Sequence, residues 1–212
     1  MRTFRPSLML TLAALLYLPV VQADSRNLNI DKVMGGITIP EDTVVGNLET
    51  INGGITVEDG SEAGTVETVN GGIELGDRVK VHSAATVNGS IEVKEDVRIE
   101  EGLSTVNGGI SVEENSRIGG DLETVNGGIQ IRGSVIDGNL TTVNGSIRLR
   151  DKARVRGDII FEKPQGYSGY PKPPMLRIDA GVSVEGMIHL YREIRLDISE
   201  DASVGEIIRH YL

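Results

Sequence analysis

Few side chains in this sequence stand together in a way that suggests chemistry. The three histidines, His82, His189 and His210, are isolated from one another, and no His-Glu-x-x-His motif, serine nucleophile elbow or phosphate-binding loop accompanies them. Acid pairs occur at Glu58-Asp59, Glu95-Asp96, Glu100-Glu101 and Glu113-Glu114. Hard cations need several oxygens converging on one point, whereas adjacent carboxylates on a strand or corner diverge, so these pairs predict a solvated acidic face rather than calcium ligation. The chain has no Cys, which removes disulfides, thiolate metal sites and a lipid-bearing cysteine. The residues therefore predict no catalytic group, no metal site and no cofactor.

Two stretches are suited to binding. Arg148, Arg150, Lys152, Arg154 and Arg156 alternate with Leu149, Asp151, Ala153 and Val155. In one strand this alternation would turn much positive charge to one side, forming a stripe for an envelope glycan, another anionic surface or the acidic end of a second copy, or simply solvated charge. Beyond Ala23 every aromatic lies late, at Phe161, Tyr167, Tyr170, Tyr191 and Tyr211. Tyr167 and Tyr170 fall in a Gly- and Pro-rich stretch over 163–175, which predicts a loop ejected from the fold. Exposed tyrosines there would supply binding area, and tyrosines folded back would cover the core.

What must position these residues is a repeat. Val69-Asn70-Gly71-Gly72-Ile73 recurs in near-copies, with its Asn at Asn52, Asn70, Asn88, Asn107, Asn126 and Asn144, an almost constant step along the chain. Val33-Met34-Gly35-Gly36-Ile37 is a degenerate copy one step upstream of the first Asn. So short and regular a period marks a solenoid. Within one repeat, apolar residues at Val69, Ile73, Leu75, Val79, Val81 and Ala85 predict a six-residue unit, three units to a coil. The triplets Ile55-Thr56-Val57, Ile91-Glu92-Val93 and Ile129-Gln130-Ile131 put two β-branched side chains on one face of a strand with a polar residue between them.

The predicted fold is all-β: a single-stranded parallel β-helix of about 18 residues per triangular coil, roughly nine coils giving a rod on the order of 40 Å long. Frequent Gly and the β-branched apolar positions argue against helices. Asn-Gly is also a hairpin turn, which would make an antiparallel meander, but the three-unit rhythm between successive Asn-Gly sites has no role in a meander. The six Asn are expected to stack as a ladder of side-chain amides at a structural corner, with Gly after each Asn allowing the turn. The last coils lose Asn-Gly, as terminal repeats do.

Residues 1–23, with Arg2 and Arg5, an apolar run from Leu8 to Val21 and Ala23 before Asp24, predict a secretory signal peptide cleaved after Ala23. The run is too short for the roughly 20 residues that span a bilayer, and no later stretch is apolar enough, so the expected location is periplasmic or secreted. Residues 24–212 read as one β-helix domain, interrupted by the 163–175 loop. Its charge is uneven, with 21 acids and 8 bases over 24–140 (net -13) against 10 acids and 11 bases over 141–212 (net +1). The acidic balance argues against nucleic-acid binding.

At Lys152-Ala153-Arg154-Val155-Arg156-Gly157-Asp158-Ile159 and at Ala202-Ser203-Val204-Gly205-Glu206-Ile207 the chain resembles the bactofilins, the polymer-forming β-helix proteins of bacteria. Its Val-Asn-Gly-Gly/Ser-Ile repeats are also similar to those of bacterial adhesin-like proteins. The bactofilin resemblance implies a right-handed β-helix that polymerises end to end without nucleotide. Bactofilins are typically cytoplasmic and this chain has a signal peptide and a Pro/Tyr loop, two departures from their pattern. Left-handed hexapeptide-repeat acyltransferases also use three six-residue units per coil, so the repeat by itself leaves the hand open. The expected function is that of a non-enzymatic exported structural protein, self-associating or adhesin-like at the cell envelope. The alternative is a glycan-binding module or a polysaccharide-active β-helix enzyme.

Overall fold

Alternating β-branched and polar residues make strands only where one face is buried, and here each coil buries it against the coils above and below. The computed structural model describes residues 28–164 and 173–211. Over these residues the chain is a parallel β-solenoid of about 9 turns, with no helix. The predicted signal peptide and most of the 163–175 loop, including Tyr167 and Tyr170, lie outside the described residues.

Each coil has three faces. The first stacks Ile30–Met34, Leu48–Asn52, Leu103–Thr105, Leu122–Thr124, Leu140–Thr142, Ile159–Phe161, Ile188–Leu190 and Ile207–Arg209, with the second halves of Glu62–Asn70 and Lys80–Asn88 between them. The second is a nine-stranded sheet from Ile37–Ile39 to Arg195–Ile198. The third begins at an isolated Val44–Glu62 bridge and ends at Ser203–Val204. All pairings are parallel, and the register advances one coil at a time, as in Leu48, Val66, Ala84, Leu103, Leu122 and Leu140. The register step lengthens at Ile147 with Leu176, Arg154 with Ser183 and Ile159 with Ile188, because the Gly- and Pro-rich stretch falls in sequence between the first-face strand Ile159–Phe161 and the second-face strand Met175–Ile178, which already includes the last residue of the predicted 163–175 loop.

The core differs in phase from the apolar rhythm of the sequence. Inward side chains of one coil are Val66, Thr68, Ile73, Leu75, Val79 and Val81, followed by Ala84 and Thr86 in the next. Val69 and Ala85, which the rhythm places inside, are only half-buried on the outer side. The inward position two residues before each Asn is a threonine, and Thr50, Thr68, Thr86, Thr105, Thr124 and Thr142 are all buried. A buried hydroxyl needs a partner. Each Oγ1 has one in the coil before: Thr68 donates to Gly53 O at 2.8 Å, Thr86 to Gly71 O at 2.8 Å and Thr105 to Gly89 O at 2.9 Å.

The corners also divide their labour differently from the expectation. Left-handed backbone belongs to the turn between the second and third faces, at Asp42, Gly60, Arg78, Asp96, Asn115, Lys152 and Gly181, with φ from 52 to 76°. None of the six ladder asparagines has positive φ, and Gly35 is the one Gly of that corner that does. The first Gly of the Asn-Gly corner is required by contact instead. A Cβ on Gly71, Gly89, Gly108 or Gly127 would strike the carbonyl oxygen of the equivalent Gly one coil earlier. The next position is roomier, its nearest neighbour from Gly72 being Ser90 O at 3.2 Å, and the sequence accordingly accepts Ser90 and Ser146 there.

Gly89→Ala is therefore expected to destabilise the fold by about 1–3 kcal/mol through overpacking against backbone. Gly72→Ala is expected to stay within about 0.5 kcal/mol. Urea midpoints of the two variants check the difference, and equal midpoints would remove contact as the reason for the glycine.

Candidate functional site

The most regular constellation is the asparagine column. Alignment of each first-face strand with the last brings Asn52 over Asn70 and Asn70 over Asn88. Every Nδ2 then donates to the Oδ1 one coil earlier: Asn70 to Asn52, Asn88 to Asn70, Asn107 to Asn88 and Asn126 to Asn107 at 2.9 Å, and Asn144 to Asn126 at 2.8 Å. Both ends are closed. Asn52 Nδ2 donates to Val33 O at 3.4 Å, and the Arg192 guanidinium donates to Asn144 Oδ1 and Val143 O, each at 3.0 Å. The amides are thus engaged with one another along the column, an arrangement that holds a corner.

The basic run does not form one strand. Arg148 and Arg150 belong to Ile147–Arg150 on the second face, and Arg154 to Arg154–Val155 on the third. Between them Asp151 and Lys152 take φ of 55 and 63°, two successive left-handed residues that turn the chain through a corner. Arg156 is tied to Asp137 at 2.7 Å, a carboxylate it shares with Arg117 at 2.7 Å. Arg150 lies in register beside Arg132, and its buried Nε has no hydrogen-bond partner among the described residues. Arg132 is itself held by Glu113 at 2.9 Å, Glu114 at 3.0 Å and Asp151 at 2.9 Å. The Asp151 hydrogen bond is the main cause that raises its pKa further above the ordinary arginine value. The pair Glu113-Glu114 is therefore the acidic side of an arginine clamp.

Carboxylates gather on the first face. Glu67, Ala85, Gly102, Ser104, Asp121 and Glu123 are among the residues that line a cleft of about 440 Å³. Burial raises the pKa of Glu67, of Glu123, to which Asp121 adds, and of Glu49, to which Glu67 and Asp31 add. Among the described residues no three or more His, Cys, Asp or Glu side chains converge in a metal-holding group.

Two histidine sites come from residues that sequence spacing keeps apart. His82 is brought beside Glu100 and Glu101 of the next coil, with Nδ1 at 2.9 Å from Glu100 Oε2 and Nε2 at 3.2 Å from Glu101 Oε1. His189 and His210 meet on the last coils, with Nδ1 of the first 3.2 Å from Nε2 of the second. The signal for both contacts is coil arithmetic: 18 residues separate His82 from Glu100 and 21 separate His189 from His210, each about one coil.

Among the described residues, both ends of the solenoid are open. Leu28, Val33, Met34 and Val44 of the first coil are exposed, and Leu196, Ile198, Val204 and Ile207 of the last are only partly buried. Ile30–Met34 and Ile37–Ile39 begin their sheets, and Arg195–Ile198, Ser203–Val204 and Ile207–Arg209 end theirs. Stacked corners, threaded core and open ends define the chain as a parallel β-solenoid repeat protein. Compared with protein-family models, curated proteins and solved structures, it matches none.

The His82 hydrogen bond to Glu100, aided by the charges of both glutamates, raises the histidine pKa above the usual 6.5 against a smaller opposing effect of desolvation. A pKa higher in the folded than in the unfolded chain means that the pair stabilises fully below the unfolded value and loses this contribution as pH rises through the folded value. In a proton NMR titration His82 is expected to titrate above about 6.5, and Glu100→Gln to bring it down. An unchanged midpoint in that variant would remove Glu100 as the cause.

Proposed function

We propose that this chain is a non-enzymatic structural protein, exported from the cytoplasm, that self-associates through its open coil ends as the bactofilins it resembles do. The observation that carries the reading is the state of those ends. Unpaired strand edges are templates for another strand, and here they coincide with uncovered apolar columns. Stacking a second copy head to tail continues the columns, with Ile207 against Ile30, Leu196 against Ile37 and Ile198 against Ile39. The uneven charge of the two parts of the chain, net -13 over 24–140 and +1 over 141–212, favours that polarity. The reactive side chains point the same way, because His82, Arg132 and the asparagine column are engaged in pairing within the rod.

One column disagrees with simple stacking. The register that carries Thr50 and Thr68 begins at Lys32, and at the other end it carries Phe161, Leu190 and Arg209. Head-to-tail contact brings Lys32 against Arg209. Lys32 Nζ turns aside to Gly36 O at 2.8 Å, a charge on an edge that limits how strongly another strand is accepted.

Residues 24–212 are expected to show a mass that rises with concentration in light scattering. Lys32→Thr, which restores the threonine column, is expected to strengthen association by about tenfold, or roughly 1.4 kcal/mol. A mass fixed at the monomer across salt and concentration would overturn the reading. Association unaffected by Lys32→Thr would overturn the head-to-tail contact.

A further inference from the structure

The last two coils carry a cluster that neither the repeat nor end-to-end stacking uses. We propose that His189 and His210 form a site for a divalent transition-metal ion of the zinc or copper class, held by two imidazole nitrogens, with Asp158 orienting one ring.

Parallel register creates the juxtaposition. His189 is the middle residue of Ile188–Leu190 and faces outward because Ile188 and Leu190 are both buried. Ile188, His189 and Leu190 pair with Ile207, Ile208 and Arg209, so His210, one residue on, lies diagonally beside His189. The facing nitrogens, His189 Nδ1 and His210 Nε2, are 3.2 Å apart. Behind the His189 ring, Nε2 is 3.6 Å from Asp158 Oδ2. That carboxylate is fixed by the backbone, its Oδ1 accepting from Met187 N at 2.8 Å. His210 stacks on Tyr191 with centroids 4.2 Å apart and ring planes 8° apart.

The Asp158 carboxylate, at 3.6 Å beyond hydrogen-bond reach of His189 Nε2, acts through its charge, which favours the tautomer with the proton on Nε2 and leaves Nδ1 as a lone pair facing His210. Without metal, His210 Nε2–H donates into that lone pair. The 3.2 Å separation also suits two ligands on one tetrahedral ion, whose bonds to imidazole are about 2.0–2.1 Å long. When the exposed His210 ring turns and moves its proton to Nδ1, both lone pairs address a single ion. Imidazole suits zinc, copper and nickel, and a carboxylate behind a ligating His is the partner that fixes its orientation and basicity. Water or a donor from a partner completes the coordination. Since the two ligands sit on successive coils, the ion clips the terminal strand Ile207–Arg209 to the coil beneath it. The site stands whether or not the ends associate. His82 is the natural control, since both its nitrogens already face glutamates.

The test is isothermal titration of the untagged protein with ZnCl2 and with CuCl2 near neutral pH. One ion per chain is expected, with saturable binding lost in His189→Ala and in His210→Ala and unchanged in His82→Ala. Asp158→Asn is expected to weaken binding about tenfold. Affinity should fall as pH is lowered, because protons compete for the imidazoles. Amides of 207–209 should exchange more slowly with metal present. Circular dichroism establishes that each variant keeps its β-structure. No binding by the folded wild type, or binding undiminished in the His189→Ala/His210→Ala double variant, overturns the site.

Discussion

Everything in this rod depends on how closely one coil's backbone can approach the next at the Asn-Gly corner. The first Gly of each corner lies so near its predecessor that a methyl group would occupy the preceding carbonyl oxygen. That oxygen also accepts the hydroxyl of the buried Thr, as Gly53 O accepts from Thr68 and Gly71 O from Thr86. Outside the same turn, the Asn amides run from coil to coil. Three residue types of one motif thus act on a single spacing: Thr satisfies the corner from within, Gly allows the approach, and Asn links the coils from without. Parallel strands, spaced about 4.8 Å apart, then carry this register into the other two faces.

The same stacking that gives the core its continuity brings like side chains into columns, which is a cost wherever the column is charged. The chain manages this with partners drawn from neighbouring columns. Glu74 and Glu92 stand in register, and Lys94 bridges them at 3.2 and 3.7 Å. Lys80 meets Glu62 at 2.6 Å, and Asp137 is shared between Arg117 and Arg156. Exposed pairs of this kind contribute about 0–1 kcal/mol each, so they relieve repulsion rather than hold the rod together. Stability rests on the inward columns and the backbone ladders.

The period of the asparagines is enough to read a parallel solenoid from the sequence, because a step so short and so nearly constant, combined with β-branched triplets, admits few other folds. The phase is not legible from hydrophobicity. Thr68 is buried and Val69 is not, since the deciding factor is a hydroxyl within reach of a glycine carbonyl, which no apolar scale registers. The turn at Asp151-Lys152 is hidden for a related reason: neither residue announces left-handed backbone as Gly60 and Gly181 do at the same corner. Strand alternation therefore reads straight through it. The histidine contacts are hidden differently, because His82 with Glu100 and His189 with His210 are neighbours only after one full coil is counted out.

The end of the asparagine column shows why the solenoid changes character where it does. A chain of amides, each donating to the one before, leaves its last oxygen without a donor. Asn144 is that last member: one coil on, the equivalent place in the sequence is Lys163, and no further Asn follows. Arg192 supplies the missing donor and reaches Val143 O with the same nitrogen. Past this cap the inner column no longer needs a hydroxyl to meet a glycine carbonyl, and it carries Phe161 and Leu190, both fully buried. The outer side is freed as well: positions next to the old corner hold Tyr191 and His210 instead of the Val69 and Val87 of earlier coils. Loss of the corner motif is thus what lets aromatic rings take the positions that valines hold in the earlier coils.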